Sequence, residues 1–288
     1  DSGTTTQTEL YLSGVVTNSL GVGIVGVEIS FSNNGGSATS DSMGAFVHRL
    51  SSGWAGVITP SKDNFSFTPS SIEVSSLSFD QLGIEFTGNQ PTILYVDTSA
   101  TGSGDGSSWS NAYTDLVDAL SSKVPYDEVW VAQGTYKPGI VRSAKFIIPP
   151  NKQVFGGFAG TESIRSERDP ANNLTSLSGD LGLENDFSDN AYHVVIPLQN
   201  SLLDGLTIRD GNASENFGDG DDRGKGGGLY AQSTTFSIIN CTFSNNIAKQ
   251  GGAAIYLKDS NATISACTFT DNSANSIGSG GALLSSLR

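Results

Sequence analysis

Between residues 9 and 88 apolar and polar side chains alternate in short runs: LYLSGVVT, GVEISFSN, AFVHRL, WAGVITPS and GIEFTG. Between the runs lie NSLGVG, NNGGS, DSMG and SSG, the Gly, Asn and Ser clusters that tight turns use. Period-two runs at this spacing predict a β-sandwich. The segment FTGNQPTI, with Pro91 after a Gly-Asn-Gln turn, marks a junction, giving expected parts 1–90 and 91–288. Beyond it the pattern changes. Ala112, Leu116 and Leu120 recur at helical spacing and Ser110 is placed to cap them, which predicts a helix over 111–122. DEVWVAQGTY, KFIIPPNKQVFGGFAG and AYHVVIPLQ then read as apolar strand segments broken by Pro, Asn and Gly. Trp54 and Trp130 read as core residues of their two parts.

The later segments repeat. GGLYAQSTTFSIINCTFSNNIA matches AAIYLKDSNATISACTFTDNSA, so that Tyr230, Ile238, Cys241 and Phe243 correspond to Tyr256, Ile264, Cys267 and Phe269, a step of 26 residues. A looser copy, HVVIPLQNSLLDGLTIRDGNA, places Leu203, Leu206 and Ile208 under Ile238, Cys241 and Phe243, and another begins at Gly280. One such unit cannot bury its own apolar residues, so units must stack, like residue over like, at about 4.8 Å per coil. Expected inward columns are Leu206/Cys241/Cys267 and Ile208/Phe243/Phe269, with Thr207, Thr242 and Thr268 outward. The three-residue step from Ile238 to Cys241 breaks strict alternation and predicts a corner near Ile239–Asn240. The helix, lying just before the first coil strand, is placed to cover the open N-terminal end. At the other end the chain stops inside a repeat copy, so further coils or a covering chain are expected there.

The N-terminal order GVVTNSLGVGIVGVEISFS…SDSMGAFVHRLSSGWAGVITPS resembles the transthyretin-like sandwich related to the carboxypeptidase regulatory domain. From Ile93 the chain resembles the right-handed parallel β-helices of bacterial surface proteins. GGAAI and GGALL look like the GGA[ILV] repeat of chlamydial polymorphic outer-membrane proteins. Phe243-Ser-Asn-Asn246 and Phe269-Thr-Asp-Asn272 look like its companion FxxN repeat. The resemblance implies an all-β fold, a sandwich followed by a right-handed parallel β-helix, in a non-enzymatic, adhesin-like surface protein. It carries no catalytic residue onto this sequence. Two alternatives stand beside it: a self-assembling fibre subunit with head-to-tail contacts, and a polysaccharide lyase or glycoside hydrolase of the β-helix type.

Composition narrows the partners. Charged residues are 15%, Gly numbers 35 and Met 1, which is unlike a helical bundle. The net charge of −14 argues against nucleic acid, which needs a basic face, and no apolar run is long enough for membrane insertion. A carbohydrate or cell-surface ligand is the expected partner. The polar start DSGTTTQT reads as that of a mature secreted protein with its signal peptide removed, which places the chain outside the cell.

Candidate chemistry is sparse. Asp219, Asp221 and Asp222, in GDGDDRGKGGG, offer oxygen ligands for Ca²⁺, the one cofactor the sequence suggests; the alternative is a solvated acidic loop. Asp180, Glu184, Asp186 and Asp189 read as a loop, or as a source of paired carboxylates for glycan cleavage. Tyr230 and Tyr256, outward at the same register, form either an aromatic ladder or a sugar platform. Arg209 and Asp210 read as a surface salt link. Cys241 and Cys267 stack in the core, too poorly oriented for a disulfide and best read as small hydrophobes.

Overall fold

The alternating N-terminal runs form eight strands, in a computed structural model that describes residues 8–184, 186–215, 222–274 and 281–286. These are β1 (Glu9–Thr17), β2 (Glu28–Phe31), β3 (Gly36–Thr39), β4 (Ala45–Ser51), β5 (Gly56–Ser61), β6 (Ser66–Thr68), β7 (Ile72–Val74) and β8 (Gln81–Asn89). They belong to the first of two units, Asp1–Pro91 and Thr92–Arg288. Their sheets run β4-β1-β8-β6 and β3-β2-β5-β7. All pairings are antiparallel except β1 with β8. Every second side chain turns inward: Leu12 and Val16 on β1, Ile29 and Phe31 on β2, Ile84 and Phe86 on β8 fill one shared core. Trp54 packs on the margin of that core, its indole N–H donating to Ser32 O at 3.1 Å.

The second unit is a parallel β-helix. Its strands are β9 (Ile93–Val96), β10 (Glu128–Ala132), β11 (Gly134–Tyr136), β12 (Phe146–Ile148), β13 (Gln153–Phe158), β14 (Thr175–Ser178), β15 (Val195–Pro197), β16 (Ser201–Asp204), β17 (Thr207–Arg209), β18 (Asn212–Ala213), β19 (Leu229–Gln232), β20 (Thr235–Ile239), β21 (Thr242–Ser244), β22 (Ile247–Ala248), β23 (Ile255–Lys258), β24 (Asn261–Ser265), β25 (Thr268–Thr270), β26 (Ser273–Ala274) and β27 (Leu283–Ser286). Each turn of the coil adds one strand to each of three long sheets: β9-β10-β13-β16-β20-β24, β11-β14-β17-β21-β25 and β12-β15-β19-β23-β27. A short fourth sheet, β18-β22-β26, widens the later turns. Tyr230 pairs with Tyr256, Ile238 with Ile264 and Phe243 with Phe269, so the sequence repeat is the strand register itself. The coil interior is a continuous apolar stack that includes Leu206, Ile208, Cys241 and Phe243. Each large side chain there contributes about 1.5–3 kcal/mol by leaving water. The Phe243 and Phe269 rings stack at 5.4 Å between centroids.

Corners explain the repeat motifs. At the bend after β16, β20 and β24 the backbone enters the left-handed region at Gly205 (φ 73°), Asn240 (φ 51°) and Ala266 (φ 52°). Asn or Gly there is cheap, whereas Ala266 holds a conformation that costs an L-residue about 1 kcal/mol. The glycine three residues before β19 and β23 is forced: Gly226 and Gly252 have φ of 63° and 57°, and a Cβ there would lie 2.5 and 2.4 Å from the carbonyl oxygens of Leu229 and Ile255. The asparagine of FxxN closes the neighbouring corner. Asn246, fully buried, accepts from Gly211 N at 2.9 Å and donates to Ile208 O at 3.0 Å and Asn272 Oδ1 at 2.9 Å. Asn272 repeats the pattern one coil on, donating to Phe243 O at 2.8 Å.

The N-terminal end is closed differently from the sequence reading. The helix α1 spans only Leu116–Leu120, and Asp115, not Ser110, caps it by accepting from Val117 N at 2.7 Å. Residues before it cannot be helical because Tyr113 is used to pair with β9: Tyr113 N donates to Tyr95 O at 2.9 Å and Asp97 N to Tyr113 O at 2.8 Å. Leu116, Ala119 and Leu120 still turn their apolar side onto the first coil, beside Leu94, Val96 and Phe146. Edge pairing and apolar cover are therefore divided between two short segments. Trp130 is fully buried, but on the outer side of β10, where it stacks on Phe158 at 4.7 Å and adjoins Phe155 and Trp109. The segment after β13 covers this cluster, with Glu162 O accepting from the Trp109 indole at 2.9 Å. Both faces of the first coils are thus dry, which is why EVWVA shows no alternation.

Candidate functional site

Outward positions on the sheet β11-β14-β17-β21-β25 form straight columns, because in-register parallel strands place like positions one above another. Thr135, Ser176, Thr207, Thr242 and Thr268 make one column. The next runs through Ser178, Arg209, Ser244 and Thr270. Hydroxyls dominate both. Charge enters only at the earlier coils, where a cleft of about 320 Å³ opens over the sheet. Lys137, just past β11, and Asp180, just past β14, line it together with Arg209 and Asp210 from the end of β17. Glu184, Phe187 and Asn245 complete its rim.

The charges in this cleft answer one another. Asp210, 8% exposed, accepts from Arg209 at 2.5 Å and from the Ser178 hydroxyl at 3.1 Å. Lys137 Nζ stands 3.9 Å from Asp180 Oδ1. Asp210 also holds φ 61°, the left-handed corner that Asn245 and Asp271 occupy on the next coils. The site is therefore built on the repeat's own corner, with Arg209 and Asp210 standing where later coils carry Ser244 and Asn245. Phe187, 44% exposed, supplies the apolar surface of the cleft. Its carbonyl accepts from the Asn212 amide at 2.5 Å, which fixes the loop that carries it.

The four acids read as one group in the sequence separate in space. Asp180 and Glu184 line the cleft, while the other two close local turns. Asp186 accepts from Ser188 N at 2.9 Å, and the Ser188 hydrogen bonds hold its carboxyl below the usual range. Asp189 accepts from Leu183 N at 2.9 Å. Arg209 and Asp210 are more than a surface link, since they adjoin Lys137 and Asp180 from neighbouring coils. Lys137 and Ser178 were not singled out by sequence. The signal was the strand register, which the insertions between the early coils conceal.

On another face, the sheet β12-β15-β19-β23-β27, the Tyr230 and Tyr256 rings lie nearly parallel with centroids 5.8 Å apart. Each is 6% exposed, and His193 adjoins Tyr230 at 5.2 Å. Burial, and Asp222 beside the phenol, push the Tyr230 ionisation well up. His193 is 8% exposed, and burial lowers its pKa from 6.5 to about 4, so the ring is neutral at physiological pH. Of the three aspartates proposed for Ca²⁺, Asp219 and Asp221 lie outside the described residues. Asp222 Oδ1 lies 3.8 Å from Lys258 Nζ. Among the described residues no three His, Cys, Asp or Glu side chains are grouped to hold a metal ion. Cys241 and Cys267 are free thiols, and burial pushes the Cys241 thiol up to about 12.

Comparison with known families adds one finding. Residues 174–286 match the family model described as the right handed beta helix region. This span runs from β14 through β27, the coils that carry the 26-residue repeat. No curated protein matches the chain. Among the described residues no helix is long and apolar enough to cross a membrane.

Proposed function

We propose that this chain is a non-enzymatic extracellular surface protein whose rigid β-helix presents a small carbohydrate-binding cleft. The observation that carries the reading is the composition of the cleft around Arg209 and Asp210: hydroxyls, amide and paired charges, with one exposed phenylalanine. Sugars are bound by such surfaces, because fixed polar side chains replace water around hydroxyl groups while an aromatic face takes the ring's C–H side. A net-neutral pairing such as Arg209–Asp210 offers donor and acceptor side by side, suited to a neutral glycan. The likeness of the GGA and FxxN motifs to chlamydial surface-protein repeats supports the surface location and the adhesin-like role.

A cleaving enzyme is the second reading, favoured by Asp180 and Asp210 standing on adjacent coils of one cleft. Strands of adjacent coils are about 4.8 Å apart, near the roughly 5–9.5 Å that separates the carboxyls of glycoside hydrolases. Against it, the Asp210 carboxylate is already engaged by the Arg209 guanidinium and the Ser178 hydroxyl, which leaves it less free to meet a substrate. Incubation with a panel of neutral and acidic polysaccharides, read for binding and for new reducing or unsaturated ends, decides between them. Binding without cleavage, weakened by Arg209→Ala, is the expected result. Cleavage abolished by Asp210→Asn would replace the first reading with the second.

A further inference from the structure

A second cleft, of about 500 Å³, opens over the face of β15 and β19 and shares no lining residue with the first. Its walls differ in kind. Ile196, Pro197 and Leu198 give it an apolar side, and Lys145 and Arg223 give it two cations. Its third charge is Asp222. In a chain of net charge −14, with only 15 Lys and Arg, this gathering of cations is out of proportion. Lys225 and Lys258 stand close by, Lys225 at 5.3 Å over the Tyr256 ring and Lys258 at 3.8 Å from Asp222.

Two features of the cleft ask for a ligand. Lys145 is exposed and makes no hydrogen bond or ion pair with another described residue, although Lys258 already balances Asp222. Asp222 Oδ1 is buried and accepts no hydrogen bond, because the Tyr230 hydroxyl beside it donates to Gln232 and the Lys258 ammonium at 3.8 Å is too distant for one. A carboxylate oxygen shielded from water and without a donor is destabilised, and a bound donor would satisfy it. The neutral His193 adds no charge, and Tyr230, whose hydroxyl donates to Gln232 at 3.1 Å, closes the far wall.

We propose that this cleft binds a small organic acid bearing an apolar body and a hydrogen-bond donor beside the carboxylate. The carboxylate meets Lys145 and Arg223. The donor, a hydroxyl or an ammonium, meets Asp222 Oδ1. The apolar body lies on Ile196, Pro197 and Leu198. Hydroxy acids and amino acids share this chemistry. The volume matches one such molecule.

Titration calorimetry with four probes tests each part: phenyllactate, phenylalanine, 3-phenylpropionate, which lacks the donor, and 2-phenylethanol, which lacks the carboxylate. Saturable binding of phenyllactate or phenylalanine is expected, about tenfold weaker for 3-phenylpropionate and absent for the alcohol. The tighter of the first two probes tells whether the natural ligand carries a hydroxyl or an ammonium. Lys145→Ala, at an exposed position where folding is not at stake, should weaken binding about tenfold, as loss of one charge-assisted contact does. Arg223→Ala should do the same, and Arg209→Ala in the other cleft should change nothing. Absence of saturation by every acid at 10 mM (about the weakest affinity such a cleft would be worth), or binding indifferent to Lys145→Ala and Arg223→Ala, overturns the proposal.

Discussion

Replacing Asn246 by alanine tests the corner on which the FxxN repeat rests. The wild-type side chain is fully buried and makes three hydrogen bonds, to Gly211 N, Ile208 O and Asn272 Oδ1. Alanine leaves the buried Gly211 N–H without its acceptor, removes a donor from Ile208 O and leaves a void the size of an amide. Each orphaned buried group costs about 1–3 kcal/mol, so the total should be about 3–5 kcal/mol. Asn272→Ala, at a half-buried position one coil on, loses the donor to Phe243 O and the acceptor shared by Asn246 N and Nδ2, but water reaches this position and can replace part of the loss, so it should cost about 1–3 kcal/mol, less than Asn246→Ala. Asn246→Asp keeps an acceptor for Gly211 but sets an oxygen against Ile208 O and Asn272 Oδ1, so it should be no better than alanine. Urea unfolding midpoints with a common slope give the ranking, and hydrogen exchange at the Gly211 amide should quicken in both Asn246 variants. Equal losses at positions 246 and 272, or an Asn246→Ala loss below about 0.5 kcal/mol, would refute the assignment, since an ordinary surface change costs no more than that.

Leu116→Asp places a charge in the fully buried helix contact that covers the first coil, and should lower stability by about 3–5 kcal/mol in the same assay. Stability should also fall with acid through His193. Its pKa is 6.5 unfolded and about 4 folded, so the unfolded chain takes up the proton first, and the contribution is complete above pH 6.5 and fades towards pH 4. The loss is about 3 kcal/mol, and His193→Gln should flatten that part of the stability profile. Cys241, buried and raised to about 12, should resist iodoacetamide at pH 8 in the folded chain and react on unfolding, as mass spectrometry would read. The calcium reading of Asp219, Asp221 and Asp222 requires that millimolar calcium raise the melting temperature and that Asp221→Asn remove the effect; no shift overturns it.

The later coils were legible because a strict 26-residue step repeats both the apolar pattern and the corner residues. Tyr230 over Tyr256 and Phe243 over Phe269 could be paired without coordinates. The early coils were not, because long segments interrupt their strands and each sheet position appears without a periodic neighbour. That is how Lys137 and Ser178 escaped notice, although the sheet sets Ser178 beside Arg209. Helix length was overestimated for a different reason. Ala112, Leu116 and Leu120 are all buried, but Ala112 reaches the core from a turn, since Tyr113 is held in an extended pairing that no helical residue could make. Trp130 was readable as buried and not as outward, because a strand covered on both faces loses the alternation that tells one face from the other. The candidate clefts depended on register across insertions, which composition does not encode.

Stacking like on like gives the two faces of a coil nearly the same contact surface: tyrosine, phenylalanine, asparagine and a left-handed corner recur in the same order above and below. A coil copied and inserted between its parents would meet familiar side chains on both sides. Tandem duplication of a 26-residue unit is therefore a single genetic step that lengthens the rod by about 4.8 Å without compensating substitutions. Point mutation has no comparable freedom, because a residue such as Asn246 answers to two neighbours at once. Length in this architecture should accordingly drift faster between related proteins than the sequence of any coil, and the stretches between β14 and β15 or β18 and β19, which leave the sheets and return, are where individual coils acquire their differences.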